Sequence, residues 1–157
     1  MKVYNTQISV REFPDEITLA FNISGCRHHC PDCHSKYLWE DTGEELDIEF
    51  IDHQIENNPG ITCIGFMGGD YDIEYLAKLA KYIRERYRLK TGLYSGDDDI
   101  YITYIWDFDY VKIGHYDSEC GPLTSTSTNQ RFWTVHRSES GEKIEDTTYK
   151  FWSSDTR

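Results

Sequence analysis

The sequence predicts an α/β domain with a mostly parallel sheet, and three features carry that expectation. Ile61 to Met67 is a short, continuous apolar run bounded by turn-forming residues, the mark of a strand covered on both faces. Directly after it, Asp70 to Arg88 sets Ile73, Leu76, Ala77, Ala80, Ile83 and Tyr87 at helical spacing, with Lys78, Lys81, Arg84 and Arg88 on the other side. Strand and helix patterns then alternate along the chain, as in units whose strands run parallel.

Taken in order, Gln7 to Glu12 reads as a first strand and Glu16 to Ile23, rich in β-branched and apolar residues, as a second. Asp47 is placed to cap a helix carrying Ile48, Ile51 and Ile55 on one face, stopped by Asn57-Asn58-Pro59-Gly60. The Ile61–Met67 strand and the Asp70–Arg88 helix follow, then a short strand from Lys90 to Tyr94 ending at Ser95-Gly96. Asp97-Asp98-Asp99 reads as an acidic turn or a helix start, and Tyr110 to Ile113 as another buried strand. After a polar loop from Gly121 to Arg131, Phe132–His136 and Ile144–Phe151 form a C-terminal hairpin joined by Ser138-Glu139-Ser140-Gly141-Glu142. No linker or repeat divides the 157 residues, so 1–157 is read as a single domain.

Twenty-eight acidic residues against 16 basic ones give a formal net charge of −12, which suits neither a nucleic-acid surface nor an anionic membrane. The N-terminal residues lack an apolar leader pattern, and no run approaches the ~18 apolar residues of a membrane span. Five cysteines, an odd number with three clustered, do not form a disulfide framework, and thiolate ligation of a metal needs a reducing compartment; the expectation is a cytoplasmic protein.

The clustered cysteines are Cys26, Cys30 and Cys33, at C-x3-C-x2-C spacing directly after a strand. Three thiolates so close can hold three irons of a 4Fe–4S cube and leave the fourth iron open, whereas an electron-transfer cluster takes four cysteines and a structural zinc site four ligands. Two other readings stand beside this one: a zinc knuckle completed by His28, His29 or His34, and core cysteines without a metal. Gly68-Gly69-Asp70 lies where a strand gives way to a helix; the glycines permit positive φ and close approach of a ligand, and the acid is by default an N-cap. Ligands of parallel sheets bind beyond the carboxyl ends of the strands, which places the cysteine loop, Gly68-Gly69-Asp70 and Tyr94-Ser95-Gly96 on one edge. Ser95 is there to bond a ligand or to cap a turn, His28 and His29 to tune a cluster or to face solvent, and Asn129-Gln130-Arg131 to line the site mouth or to lock a loop. Cys63 and Cys120 read as packing and loop residues.

The C-x3-C-x2-C spacing resembles the signature of radical S-adenosylmethionine (SAM) enzymes, and Gly68-Gly69-Asp70 resembles their Gly-Gly-Glu motif with Asp for Glu. With Cys33-His34-Ser35-Lys36-Tyr37-Leu38-Trp39, Thr128-Asn129-Gln130-Arg131-Phe132-Trp133 and the short length, the chain is similar over nearly its whole extent to the anaerobic ribonucleoside-triphosphate reductase activating proteins. Asp32 stands where the superfamily often has an aromatic residue, and Arg11-Glu12-Phe13-Pro14-Asp15 where a Gly-Pro-Gly-like loop is common. The resemblance implies a shortened, open radical SAM partial barrel in which Cys26, Cys30 and Cys33 hold the 4Fe–4S cluster. It implies SAM contacts at Asp32, Cys33, His34, Gly68, Gly69, Asp70 and Ser95, with no protein side chain acting as catalyst. The implied reaction is reductive cleavage of SAM to methionine and a 5′-deoxyadenosyl radical, which takes hydrogen from a glycine of the large reductase subunit. A flavodoxin-like protein is the implied electron donor. The nearest rival activity is activation of another glycyl radical enzyme.

Overall fold

The computed structural model describes residues 1–99 and 102–156. Its single sheet contains β1 (Lys2–Ser9), β2 (Thr18–Ile23), β3 (Glu44–Glu45), β4 (Cys63–Met67), β5 (Lys90–Tyr94), β6 (Tyr110–Ile113), β7 (Arg131–Ser138) and β8 (Gly141–Asp146), in the order β3-β1-β2-β4-β5-β6-β7-β8. Helix α1 (Ile48–Asn57) precedes β4, α2 (Ile73–Tyr87) joins β4 to β5, and α3 (Ile102–Ile105) precedes β6.

The expectation of a mostly parallel sheet is corrected by the pairings. β2, β4, β5 and β6 run parallel, but β1 and β3 on one side and β7 and β8 on the other pair antiparallel. The physical reason lies in the connections. Parallel neighbours need a long crossover, here supplied by the cysteine loop with α1, by α2 and by α3, whereas β1–β2 and β7–β8 are joined directly and can only turn back. Glu139 and Ser140 alone separate β7 from β8.

Both faces of the parallel centre are covered. Leu19, Phe21, Ile23, Ile64, Phe66, Leu93 and Val111 pack with Ile51 of α1 and Leu76, Ala80 and Ile83 of α2 in the main core. Phe13, Cys63, Tyr110, Leu123 and Phe132 form a second, smaller cluster. All six residues of β2 are buried, which is why its sequence carries no alternation.

Several boundaries differ from the sequence expectation. The first strand is Lys2–Ser9 rather than Gln7–Glu12, because only Val3 along it is buried and the apolar signal is correspondingly faint. Helix α1 starts as expected, with the Asp47 carboxylate accepting from the Phe50 amide at 2.8 Å. Helix α2 is capped by Asp72, which accepts from Tyr75 N at 3.2 Å, and residues Asp70–Asp72 form a 3-10 turn ahead of it. β8 stops at Asp146 instead of continuing to Phe151, because Asp146 Oδ1 accepts from both the amide (3.0 Å) and the hydroxyl (2.6 Å) of Thr148 and turns the chain. Position 100 and Tyr101, beyond the acidic run Asp97-Asp98-Asp99, lie outside the described residues.

Candidate functional site

The four parallel strands end on one edge of the sheet, delivering Ser24-Gly25-Cys26, Gly68-Gly69-Asp70, Ser95-Gly96 and Gly114 to it. The cysteine loop is held at its base by the amide of Cys26 donating to the carbonyl of Leu38, a buried residue, at 3.0 Å. Ser24, fully buried, ties the loop entrance to β1 through Lys2 O and to Thr42 N. Within the loop, Cys33 N donates to Cys30 O and Ser35 N donates to Cys33 Sγ at 3.3 Å. Gly25, His29 and Asp32 take positive φ, so the chain turns sharply at each of them.

All three thiols are unpaired and partly exposed. The three histidines of the loop are each engaged: His28 on Asp70, His29 stacked on Trp39 at 4.2 Å, and His34 edge-on to Tyr116. Three thiolates in one loop fit a 4Fe–4S cluster, and of the imidazoles on which a closed zinc site would draw, His28 is already held through Nε2 by Asp70.

Gly68 and Gly69 sit at φ 108° and 84°, backbone conformations that favour glycine. A Cβ at Gly69 would meet Met1, Ile23 and Leu76, and one at Gly68 would meet Ile23. They serve the backbone turn and the packing beneath it. Asp70, released from capping by Asp72, directs one oxygen, Oδ2, to three donors: His28 Nε2 at 2.6 Å, Ser95 Oγ at 2.7 Å and Gly96 N at 3.1 Å. Ser95 caps the turn, accepting from Asp97 N at 3.0 Å, and its hydroxyl donates to Asp70. Nitrogen and oxygen atoms of His28, Asp70 and Asp97 gather within 4.8 Å, but the 2.6 Å contact makes His28 and Asp70 partners of each other rather than ligands of a shared ion. Asp32 is exposed on the loop, and His34 lies against Tyr116.

Sequence reasoning missed Lys112. It is the lone lysine of the Tyr110–Ile113 strand, and its ammonium lies 5.2 Å from the Tyr94 ring centre. Burial pushes it down to about 8, while the charges of Cys30, Asp70, Cys26 and Glu12 pull it back up. The signal available was an ionisable residue two positions from Tyr110 in a strand that otherwise reads as buried. Beside it, burial raises the Glu12 carboxyl, and the Tyr94 hydroxyl donates to Glu12 O at 2.6 Å.

The remaining candidates are structural. Cys63 is fully buried and its thiol is pushed well up by burial. Cys120 lies in a loop with its sulfur 3.6 Å from Asp117 Oδ2. Asn129 and Gln130 donate to the carbonyls of His115 and Gly114, locking the loop after β6 against the site edge, and Arg131 bonds the carbonyls of Thr128 and Gln130.

Residues 17–101, more than half of the 157, match the family described as 4Fe-4S single cluster domain, a stretch containing Cys26, Cys30 and Cys33. No curated protein and no solved structure matches the chain. Among the described residues, no helix is long and apolar enough to cross a membrane.

Proposed function

The chain belongs to the 4Fe-4S single cluster domain family, and from that premise we propose that it is a radical SAM activase. Its target in this reading is the large subunit of anaerobic ribonucleoside-triphosphate reductase, its electron donor a flavodoxin-like protein, its compartment the cytoplasm, and its fold a shortened, open partial barrel. The observation that carries the proposal is the delivery of an acid, Asp70, and a cation, Lys112, to the sheet edge that carries the cysteine loop. Asp70 is bound to His28 of the cysteine loop, and the half-buried Lys112 of β6 has the charges of Cys30, Asp70 and Cys26 among those that act on it. The methionine end of SAM is a zwitterion, so an acceptor for its ammonium and a cation for its carboxylate are what a SAM site beside an open iron requires.

When bound, the cluster and SAM supply one-electron cleavage of the sulfonium bond. The chain's own groups bind and orient. Asp70 accepts from the ammonium, Lys112 neutralises the carboxylate, and Ser95 and Gly96 fix Asp70. Excluding water preserves a reactive product of that cleavage until it meets the target glycine.

Anaerobic reconstitution tests the proposal. A brown protein with about four irons and four sulfides per chain, forming 5′-deoxyadenosine on reduction and a glycyl radical on the reductase in about a one-to-one ratio, is the expected result. A colourless protein with stoichiometric zinc, or an iron protein inert toward SAM, overturns it. Glycyl-radical formation only on a different enzyme would transfer the assignment to that partner.

A further inference from the structure

We propose that His28 is a positioning residue that orients Asp70 for the ammonium of SAM and thereby ties the cysteine loop to the second half of the site. The inference rests on the SAM reading above. Three hydrogen bonds saturate Asp70 Oδ2, and the shortest, at 2.6 Å, comes from His28 inside the C-x3-C segment. The other carboxylate oxygen, Oδ1, takes no hydrogen bond from a described residue, which leaves it for a cationic ligand. Only 7% of the Asp70 side chain is exposed, so its direction is set by these partners rather than by solvent.

The chain makes room for the contact. A Cβ at Gly96 would come within 2.6 Å of the His28 ring, so that position is glycine where the imidazole lies against the strand end, although its φ makes no such demand. In consequence one carboxylate joins three separate stretches: the loop that carries the thiols, the turn after β4 and the end of β5. A shift of the loop moves the acceptor with it, and the ammonium and the open iron keep one spacing. Orientation of this kind is worth most where a ligand must reach two groups at once.

The test uses anaerobically reconstituted protein with SAM itself as the probe. Three variants are compared with the wild type: His28→Leu, His28→Gln, whose amide can still donate, and Gly96→Ala, which displaces the ring and keeps the backbone amide that donates to Asp70. Iron content, SAM affinity by equilibrium dialysis, and the change in the reduced cluster's electron paramagnetic resonance spectrum on adding SAM are the readouts. His28→Leu and Gly96→Ala should keep their iron, weaken SAM binding about tenfold or more and blunt the spectral change, because a hydrogen bond to a charged group is lost. His28→Gln should restore most of both. If His28→Leu or Gly96→Ala, fully loaded with iron, binds SAM and alters the spectrum like the wild type, the inference is wrong. Should His28→Leu fail to hold iron, Gly96→Ala decides. A wild-type cluster whose spectrum ignores SAM would instead overturn the SAM reading, and the inference with it.

Discussion

The Phe13 ring occupies the space that a side chain at Gly92 would need: a Cβ there would come within 2.3 Å of it. Gly65, on the neighbouring strand, leaves a similar gap, with a Cβ coming within 2.8 Å of the same ring. Phe13 is fully buried and packs against Tyr94, Tyr110 and Phe132. Gly92→Ala should therefore destabilise the fold by about 3 kcal/mol through overpacking, and Phe13→Ala by ~4 kcal/mol through the cavity it opens. The double variant should fall well short of the sum, since removing the ring relieves the clash. Chemical denaturation midpoints measure all three, and strict additivity would show that the two sites do not share this space.

Replacing any one of Cys26, Cys30 or Cys33 by Ala should abolish cluster assembly, because two thiolates cannot retain a cube with an open iron. Cys63→Ala and Cys120→Ala should keep the iron, one sulfur being packed in the core and the other lying beside Asp117. Iron and sulfide analysis is the measurement; loss of iron from either of the latter pair would disprove the three-ligand assignment.

Asp70 and Asp72 are separable by function. Asp72→Ala removes the cap of α2 and should cost about 1 kcal/mol of stability while leaving SAM affinity unchanged. Asp70→Asn should hold stability closer to wild type and lose SAM affinity instead. The reverse pattern in paired denaturation and SAM-binding measurements would mean that Asp70, not Asp72, holds the helix.

Lys112→Met keeps the length of the half-buried side chain and removes its charge. Iron content should persist, while SAM affinity falls about tenfold or more as the carboxylate loses its cation. Unchanged affinity in equilibrium dialysis would remove Lys112 from the site.

Glu16 supplies a pH dependence at the opposite end of the sheet. Burial alone would raise its carboxyl, but hydrogen bonds from Lys90 at 2.8 Å, Thr62 at 2.5 Å and Tyr110 at 2.7 Å together hold it below the ordinary value of 4.5. A depressed carboxyl stabilises the fold above its unfolded pKa, and that contribution is lost as pH falls through the lower folded value. Glu16→Gln should therefore be less stable than wild type near neutrality, and the gap should narrow below about pH 4.5. Urea midpoints at matched cluster content measure it; a gap constant with pH would assign the loss to packing.

Much of this molecule could be read from its residues where one physical signal dominated. Helix α2 was legible because its apolar stripe is regular, and β4 because a buried parallel strand is apolar throughout. Strand β1 was misplaced since its side chains are mostly outside the core, and β3, two exposed glutamates paired with Lys2 and Val3, has no apolar signal at all. The site followed the same division. The cysteines and the three strand ends were visible as motifs, whereas the His28–Asp70 contact joins residues 42 positions apart and depends on β2 and β4 lying side by side. Lys112 was hidden for a related reason: a lysine on a strand reads as solvent-facing until the residues that the fold packs around it are known.

The parallel pairing of β2, β4, β5 and β6 has a temporal meaning during synthesis. The thiols leave the ribosome first, then Asp70, then Ser95, and Lys112 last among the groups that meet at the edge. Such distant pairings form late and all together, after loop closure has been compensated by the core. The finished sheet is what brings Asp70, Ser95 and Lys112 to the edge that carries the three thiols, so metal loading is expected to follow folding.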